Sequence, residues 1–103
     1  MVKVVLNDKE VGFEFGLKAM MLYEGIAEKP FGSEKSVTAS IVTLYACLVA
    51  ANEHFMSFAE FVALVQNADE LARLNAALDE EMARWNSINS ATATEQKKKV
   101  KKG

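Results

Sequence analysis

The stretch FGLKAMMLYE, Phe15–Glu24, decides how this chain folds, because it marks a change from strand-like to helix-like sequence. Before it, apolar residues alternate with polar ones, as in a strand with one buried face. From Leu17 onward, apolar residues recur at steps of three and four, as in a helix. Gly16 lies at the junction and permits a sharp turn. The sequence therefore predicts a β-hairpin that leads directly into an α-helix.

Two β-rich segments precede this junction. They are Val2–Leu6 and Val11–Phe15, and the turn-forming residues Asn7 and Asp8 lie between them. Because a hairpin alone is marginally stable in water, other elements must cover its apolar face.

Four helices are predicted after the hairpin. They run from Leu17 to about Ala27, from Ser33 or Ser36 to Ala51, from Ser57 to about Gln66, and from Ala68 to about Ile88. The second helix is apolar on nearly every side and is expected to be central. The third has the clearest start, since Ser57 followed by Glu60 forms a capping box. In the first helix, the expected apolar face contains Leu17, Met20, Met21 and either Tyr23 or Glu24.

Length and composition indicate one folded domain with a tail. A chain of 103 residues that is half hydrophobic can bury a core without metal or disulfide bonds. The predicted class is α+β and mainly α, with an N-terminal hairpin packed on about four helices over residues 1–88. Residues 89–103 lose apolar periodicity and contain the run KKKVKK, so they are predicted to form a flexible, disordered, lysine-rich tail.

Candidate chemistry is sparse, so the sequence predicts no enzyme, no catalytic residue, no cofactor and no metal. His54 is the only histidine and is expected in a partly exposed connection. Cys47 lies in an apolar run and is expected to be buried and inert in a reducing compartment. The carboxylates of residues 79–81 and the side chain of Arg84 are expected on a solvated face.

Charge and hydropathy restrict the partners and the location. A net charge of −2 gives no general attraction to nucleic acid or to anionic membranes. The longest apolar run, Ile41–Ala51, is shorter than the roughly 20 residues that span a bilayer. The first residues also lack the features of a signal peptide. A cytoplasmic protein that binds other proteins is the remaining expectation.

A single apolar stripe along the fourth helix is the candidate partner-binding surface. Its residues recur three or four apart and are Leu71, Leu74, Leu78, Met82, Trp85 and Ile88. Packing against the rest of the domain is the simpler explanation for most of them. The far end of the stripe is where surplus apolar surface is expected, and methionine suits adaptable binding of partner helices.

A β-hairpin ending in an aromatic-glycine pair, followed by two motifs and then by SFAEFVALV, resembles the small tail assembly chaperones of long-tailed bacteriophages and prophages. One is FGLKAMMLYE, and the other is LYACLVAAN on the second helix. The matching positions are Phe15, Gly16, Ala19, Tyr23, Glu24, Tyr45, Ala46, Leu48, Ala51 and Asn52. The resemblance extends over about the first two thirds of the chain.

The resemblance implies a non-enzymatic chaperone in the cytoplasm of a bacterial host. It would bind the largely helical tape-measure protein, keep it soluble, and leave as tail-tube subunits polymerise around it. In many such genes a ribosomal frameshift near the end makes a longer product, and Lys97–Lys99 can be encoded by A-rich slippery codons.

Two alternatives remain open from the sequence. One is a homo-oligomeric structural or adaptor protein whose fourth helix pairs with its own copies. The other is a small nucleic-acid-associated regulator that uses the basic tail, because lysines can neutralise phosphates.

Overall fold

The computed structural model describes the backbone of residues 1–102 and the side chains of residues 1–88. In this part of the chain an antiparallel hairpin is followed by four helices, which confirms the predicted α+β, mainly α class. The elements are β1 Val2–Leu6, β2 Lys9–Phe13, α1 Leu17–Ala27, α2 Val37–Ala51, α3 Phe58–Leu64 and α4 Ala68–Lys102. The tail predicted over residues 89–103 lies outside the described side chains and stays a prediction.

The turn of the hairpin is as short as a turn between strands can be. Asn7 and Asp8 both have left-handed backbone angles, with φ of 52° and 64°, as a two-residue turn of type I′ requires. The second strand therefore starts directly after the turn, at Lys9. The prediction of a second strand over Val11–Phe15 is wrong at both ends.

Strand pairing in the hairpin ends at Phe13. Phe13 pairs with Val2, the first residue of β1. Beyond this point the N–H of Glu14 donates instead to the carbonyl of Cys47 on α2, at 3.1 Å. The chain thus leaves the hairpin already bonded to the central helix, and Phe15 is buried as part of the junction.

Gly16 is not required by the backbone conformation at the junction. Its φ of 173° is extended backbone, which any residue adopts. A Cβ at this position would lie 3.7 Å from the ring of Trp85, an ordinary contact distance. The expected need for glycine flexibility is therefore not seen here.

The buried face of α1 is rotated from the one predicted. Ala19 and Tyr23 are buried against the core, whereas Leu17 and Met21 are 64% and 65% exposed. The expectation that Leu17 and Met21 face the core is therefore wrong. Small Ala19 lets α1 pack closely on α2, and this places the longer side chains on the outer side.

The second helix is central, as expected. It begins after Ser36, whose hydroxyl accepts a hydrogen bond from the N–H of Ala39 at 3.0 Å. At its other end the side chain of Asn52 accepts from Gly12 N–H at 3.2 Å and donates to Gly12 carbonyl oxygen at 2.8 Å. A Cβ on Gly12 would lie 3.1 Å from Ala51 Cβ, so glycine permits this close approach of strand and helix.

The capping box of α3 is confirmed, and the aromatic residues around it pack on Tyr45. Ser57 accepts from the N–H of Glu60 while the carboxylate of Glu60 accepts from the N–H of Ser57. The Tyr45 hydroxyl donates to the carbonyl of Met56 at 2.8 Å. The rings that surround Tyr45 are those of Phe55, Phe58 and Phe61. His54 is exposed in the connection before α3, as predicted.

The fourth helix begins after Asn67 and packs beneath β1. The side-chain oxygen of Asn67 accepts from the N–H of Asp69 at 2.9 Å, as an N-cap does. Leu74 and Ala77 are buried in the core that α4 shares with the hairpin and α2. This helix was expected to end near Ile88 and is assigned to Lys102.

Candidate partner-binding groove

The predicted partner-binding residues of α4 occupy three different environments. Leu74 is fully buried, which leaves no surface for a partner. Leu71, Leu78 and Trp85 are half-buried and pack against the core. Met82 and Ile88 are 36% and 52% exposed. The exposed apolar surface is therefore at the far end of the stripe, where surplus apolar surface was expected from the sequence.

The buried residues of α4 do not coincide with the apolar stripe, since they include the charged residue Glu81. Glu81 has no exposed surface, although residues 79–81 were expected to be solvated. Its Oε1 accepts from the N–H of Phe15 at 3.1 Å and from Nη2 of Arg84 at 3.1 Å. Its Oε2 accepts from Nε of Arg84 at 3.0 Å. The prediction of a solvated face at Glu81 is wrong, since this carboxylate satisfies a backbone donor at the hairpin junction.

The surroundings of Glu81 keep it ionised. Burial by itself would raise the pKa of this carboxyl, but hydrogen bonds from Arg84 and Phe15 and nearby positive charge outweigh burial and lower its pKa. The hydrogen bond to Glu81 in turn raises the pKa of Arg84. Arg84 also donates to the carbonyl of Phe15 at 3.3 Å. Glu81 and Arg84 therefore bond α4 to both the N–H and the carbonyl of Phe15.

A groove of about 550 Å³ lies between the start of α2 and α4. Its apolar walls contain two exposed side chains, Val37 at 81% and Met82 at 36%. The full lining is Tyr23, Phe31, Gly32, Glu34, Lys35, Ser36, Val37, Ala39, Ser40, Thr43, Asn75, Leu78 and Met82. Two residues of the predicted set, Leu78 and Met82, are thus brought together with residues from three other parts of the chain.

Two aromatic residues of the groove lining, Tyr23 and Phe31, belong to a chain of ring contacts that continues through Phe15 to Trp85. Tyr23 and Phe31 meet edge to face with ring centroids 5.3 Å apart. Phe31 contacts Phe15 at 5.7 Å, and Phe15 contacts Trp85 at 6.1 Å. Such pairs hold their geometry through the ring quadrupoles as well as through apolar burial. The ring contacts therefore hold Tyr23 and Phe31 in place, whereas Met82 in the same lining is 36% exposed.

Sequence reasoning missed Val37 and Phe31 as groove residues. Val37 lies on the same side of α2 as Leu44 and Leu48, which are seven and eleven residues later and fully covered. The face that is covered at the end of the helix is open at its start. The apolar residue directly after the N-cap was the available signal, but the sequence does not show where the covering elements end.

The described residues contain no cluster of three or more His, Cys, Asp or Glu side chains that could hold a metal ion, and Cys47 is a free cysteine. Cys47 is buried as expected, and desolvation, with the charges of Glu81 and Glu14, raises the pKa of its thiol to about 12. Among the described helices, none is long and apolar enough to cross a membrane.

Comparison of the chain with protein-family models, with curated proteins and with solved structures finds no match.

Proposed function

We propose that this protein is a phage or prophage tail assembly chaperone that binds the tape-measure protein in the cytoplasm of a bacterial host. It acts without catalysis, by covering an apolar helix face of its client in the groove between α2 and α4. The observation that carries the proposal is the groove itself, in which Val37 and Met82 expose apolar surface beside half-buried Leu78. Tail-tube subunits are the second expected partner, since they displace the chaperone.

The physical character of the groove suits a helical client. Apolar residues on one face of an amphipathic helix can enter a groove of this kind, and methionine adjusts to side chains of different shape. Full burial of a side chain the size of valine or methionine contributes about 1.5–3 kcal/mol. A few such contacts, less the cost of association, favour binding that shields the client and can still be reversed.

The resemblance to tail assembly chaperones supports the proposal through the fold. Several of the matching residues have a structural role: Ala19, Tyr23, Ala46 and Leu48 are buried, and Asn52 joins α2 to β2. Glu24 accepts from the N–H of Phe31 at 2.9 Å and so holds a segment that lines the groove. The motif residues thus build the frame on which the groove is formed.

The first test is genetic. The nucleotide sequence around the codons for Lys97–Lys99 should contain an A-rich slippery run with an overlapping reading frame, followed by a very long gene for a helical protein. A plain stop codon with unrelated neighbouring genes would argue against a tail chaperone.

The second test is co-expression with the protein encoded by that long gene. Wild-type chaperone should raise the soluble fraction of the client, and Met82→Glu should abolish the gain because a charge then lies in the apolar groove. Met21→Glu is the matched control, since Met21 is 65% exposed on α1 and does not line the groove. Equal loss of client solubility with both variants would sink the groove as the binding site.

A further inference from the structure

The outer edge of β1 carries unused backbone hydrogen-bonding groups. Lys3 pairs with Gly12, whose N–H and carbonyl point away from β1 toward Asn52. In an antiparallel ladder both members of such a pair direct their backbone groups outward, and so does every second residue along the strand. The N–H and C=O groups of Lys3 and Val5 therefore face away from β2. Within the described residues, no hydrogen bond reaches these four groups.

A groove of about 540 Å³ runs along this edge, with α4 as its other wall. Its lining consists of residues 2–5 of β1 together with Arg73, Ala76, Ala77 and Glu80. The groove is open, and its helical wall has two alanines at the centre and one charge toward each end.

The direction of α4 fixes where those charges lie. Near the end of β1 the N–H of Asn7 donates to Glu70 Oε1 at 3.3 Å, and near its start the Met1 amino group is 3.4 Å from Glu81 Oε2. The helix therefore runs antiparallel to the strand. Ala76 lies beside the middle of β1, Arg73 toward the end of β1, and Glu80 toward its start.

We propose that a second copy of this chain binds at this edge, with the two β1 strands paired antiparallel about a two-fold axis at Val4. The pairing joins the two hairpins into a four-stranded sheet and satisfies the outward groups of Lys3 and Val5 on both copies. The two α4 helices meet beneath the sheet, with Ala76 of each copy next to the axis. Packed helix axes stay about 8 Å or more apart even with small side chains, so the two α4 helices lie farther apart than the paired strands above them, and alanine next to the axis keeps that distance to its minimum.

Charge complementarity favours a second copy as the occupant, with Arg73 placed between Glu70 of its own helix, at 3.6 Å, and an acidic residue of the other copy. A two-fold axis through the middle of β1 places Arg73 of each copy opposite Glu80 of the other, because the two residues lie on the same flank at opposite ends of the groove. Two ion pairs result from one contact, as an isologous interface requires. A lysine on a strand edge often prevents such pairing, but Lys3 is balanced within its own hairpin by Glu10 at 3.5 Å.

The mass of the full chain in solution tests this proposal, independently of the proposed chaperone function. Sedimentation equilibrium should show a concentration-dependent dimer. Arg73→Glu and Glu80→Arg should each raise the dimer Kd about tenfold or more, since two attractive pairs become repulsive. An equimolar mixture of the two variants should restore the dimer, because one then carries two acids on this flank and the other two bases. Restoration also shows that both variants are folded.

Cross-linking tests the position of the axis. Ala76→Cys should form a disulfide-linked dimer on mild oxidation, whereas Asn75→Cys, one residue away and lining the other groove, should not. Native Cys47 is buried and does not compete. A chain that is monomeric at every concentration, a mixture that fails to restore the dimer, or equal cross-linking at both positions would overturn the proposal.

Discussion

Glu81 is the residue on which the position of α4 most depends. Its carboxylate is fully buried and accepts hydrogen bonds from the N–H of Phe15 and from two nitrogens of Arg84. Burying a charge is costly unless it is paired and hydrogen-bonded. Here every donor around the carboxylate belongs to the hairpin junction, to the chain start or to the next turn of α4, so the same contacts that pay this cost also fix the helix in place.

Glu81→Ala is expected to lower the free energy of unfolding by about 3 kcal/mol, because the N–H of Phe15 loses its acceptor and Arg84 its partner. Urea denaturation measures the change. Asp79→Ala, an exposed carboxylate two residues away, is the control and should change the free energy of unfolding by less than about 0.5 kcal/mol. Equal losses for the two variants would contradict the assigned role of Glu81.

Acid should weaken the fold through the same residue. The folded-state pKa of Glu81 is lowered from its ordinary value of 4.5, so as pH falls the unfolded chain takes up the proton before the folded one does. The stabilisation by ionised Glu81 is therefore complete above about pH 4.5 and is lost as pH falls through the folded-state pKa. We expect the stability deficit of Glu81→Gln relative to wild type to shrink below about pH 4.5. A deficit that stays constant in acid would show that ionisation of Glu81 does not matter.

At the scale of the elements, Asn52 is the link between the central helix and the hairpin. One amide side chain caps the end of α2, where its Nδ2 donates to the carbonyl of Leu48 at 2.8 Å, and bonds both backbone groups of Gly12 on β2. The strand edge that faces α2 is thus covered, in contrast to the open outer edge of β1. This difference between the two edges is why pairing with a second copy is expected on one side only.

Asn52→Ala should lower the free energy of unfolding by about 2 kcal/mol, because three hydrogen bonds are lost and the backbone of Gly12 is left without partners. Hydrogen exchange should accelerate at the Gly12 amide in particular. Asn75→Ala removes an amide from the surface of α4 and serves as the control. Unchanged protection at Gly12 would show that water replaces the Asn52 side chain at no cost.

At the scale of the whole molecule, the described core lies within the first 88 residues. Its buried and half-buried members extend from Val2 to Trp85 and join all six elements. The groove between α2 and α4 and the open edge of β1 lie on different flanks of α4, so the proposed client and the proposed second copy would not compete for one surface.

A chain that ends at Ile88 is therefore expected to fold with the stability of the full protein, within about 0.5 kcal/mol, since it keeps the whole described core. The slope of a urea denaturation curve should also be unchanged, because the surface exposed on unfolding is nearly the same. A large loss of stability would show that residues 89–103 contribute to the folded domain.

The same truncation also tests the nucleic-acid alternative. If the full chain binds nucleic acid in a salt-sensitive manner, loss of this binding in the truncated chain identifies the lysines as the cause.

The order and type of the elements follow from the sequence alone, because these depend on local signals. Apolar periodicity, the Asn7–Asp8 turn, Ser36 or Ser33 as a cap and the Ser57–Glu60 capping box are each contained within a few residues. The start of the second strand was misplaced because a two-residue turn leaves no spacer between strands. The buried position of Cys47 was also predictable, since it lies inside a continuous apolar run.

Which faces of the helices are covered is visible only in the folded structure, because coverage depends on neighbours that are distant in the chain. From the sequence, Glu81 is predicted to be a surface residue. In the fold it is buried, because its carboxylate accepts a hydrogen bond from the N–H of Phe15. From the sequence, Met21 is predicted to face the core. In the fold it is exposed, because the smaller Ala19 lies on the buried face of α1. Two open surfaces were likewise not predictable: the groove at Val37 and Met82, and the outer edge of β1. Each lies where the covering elements end, and the local sequence does not show where a distant element ends.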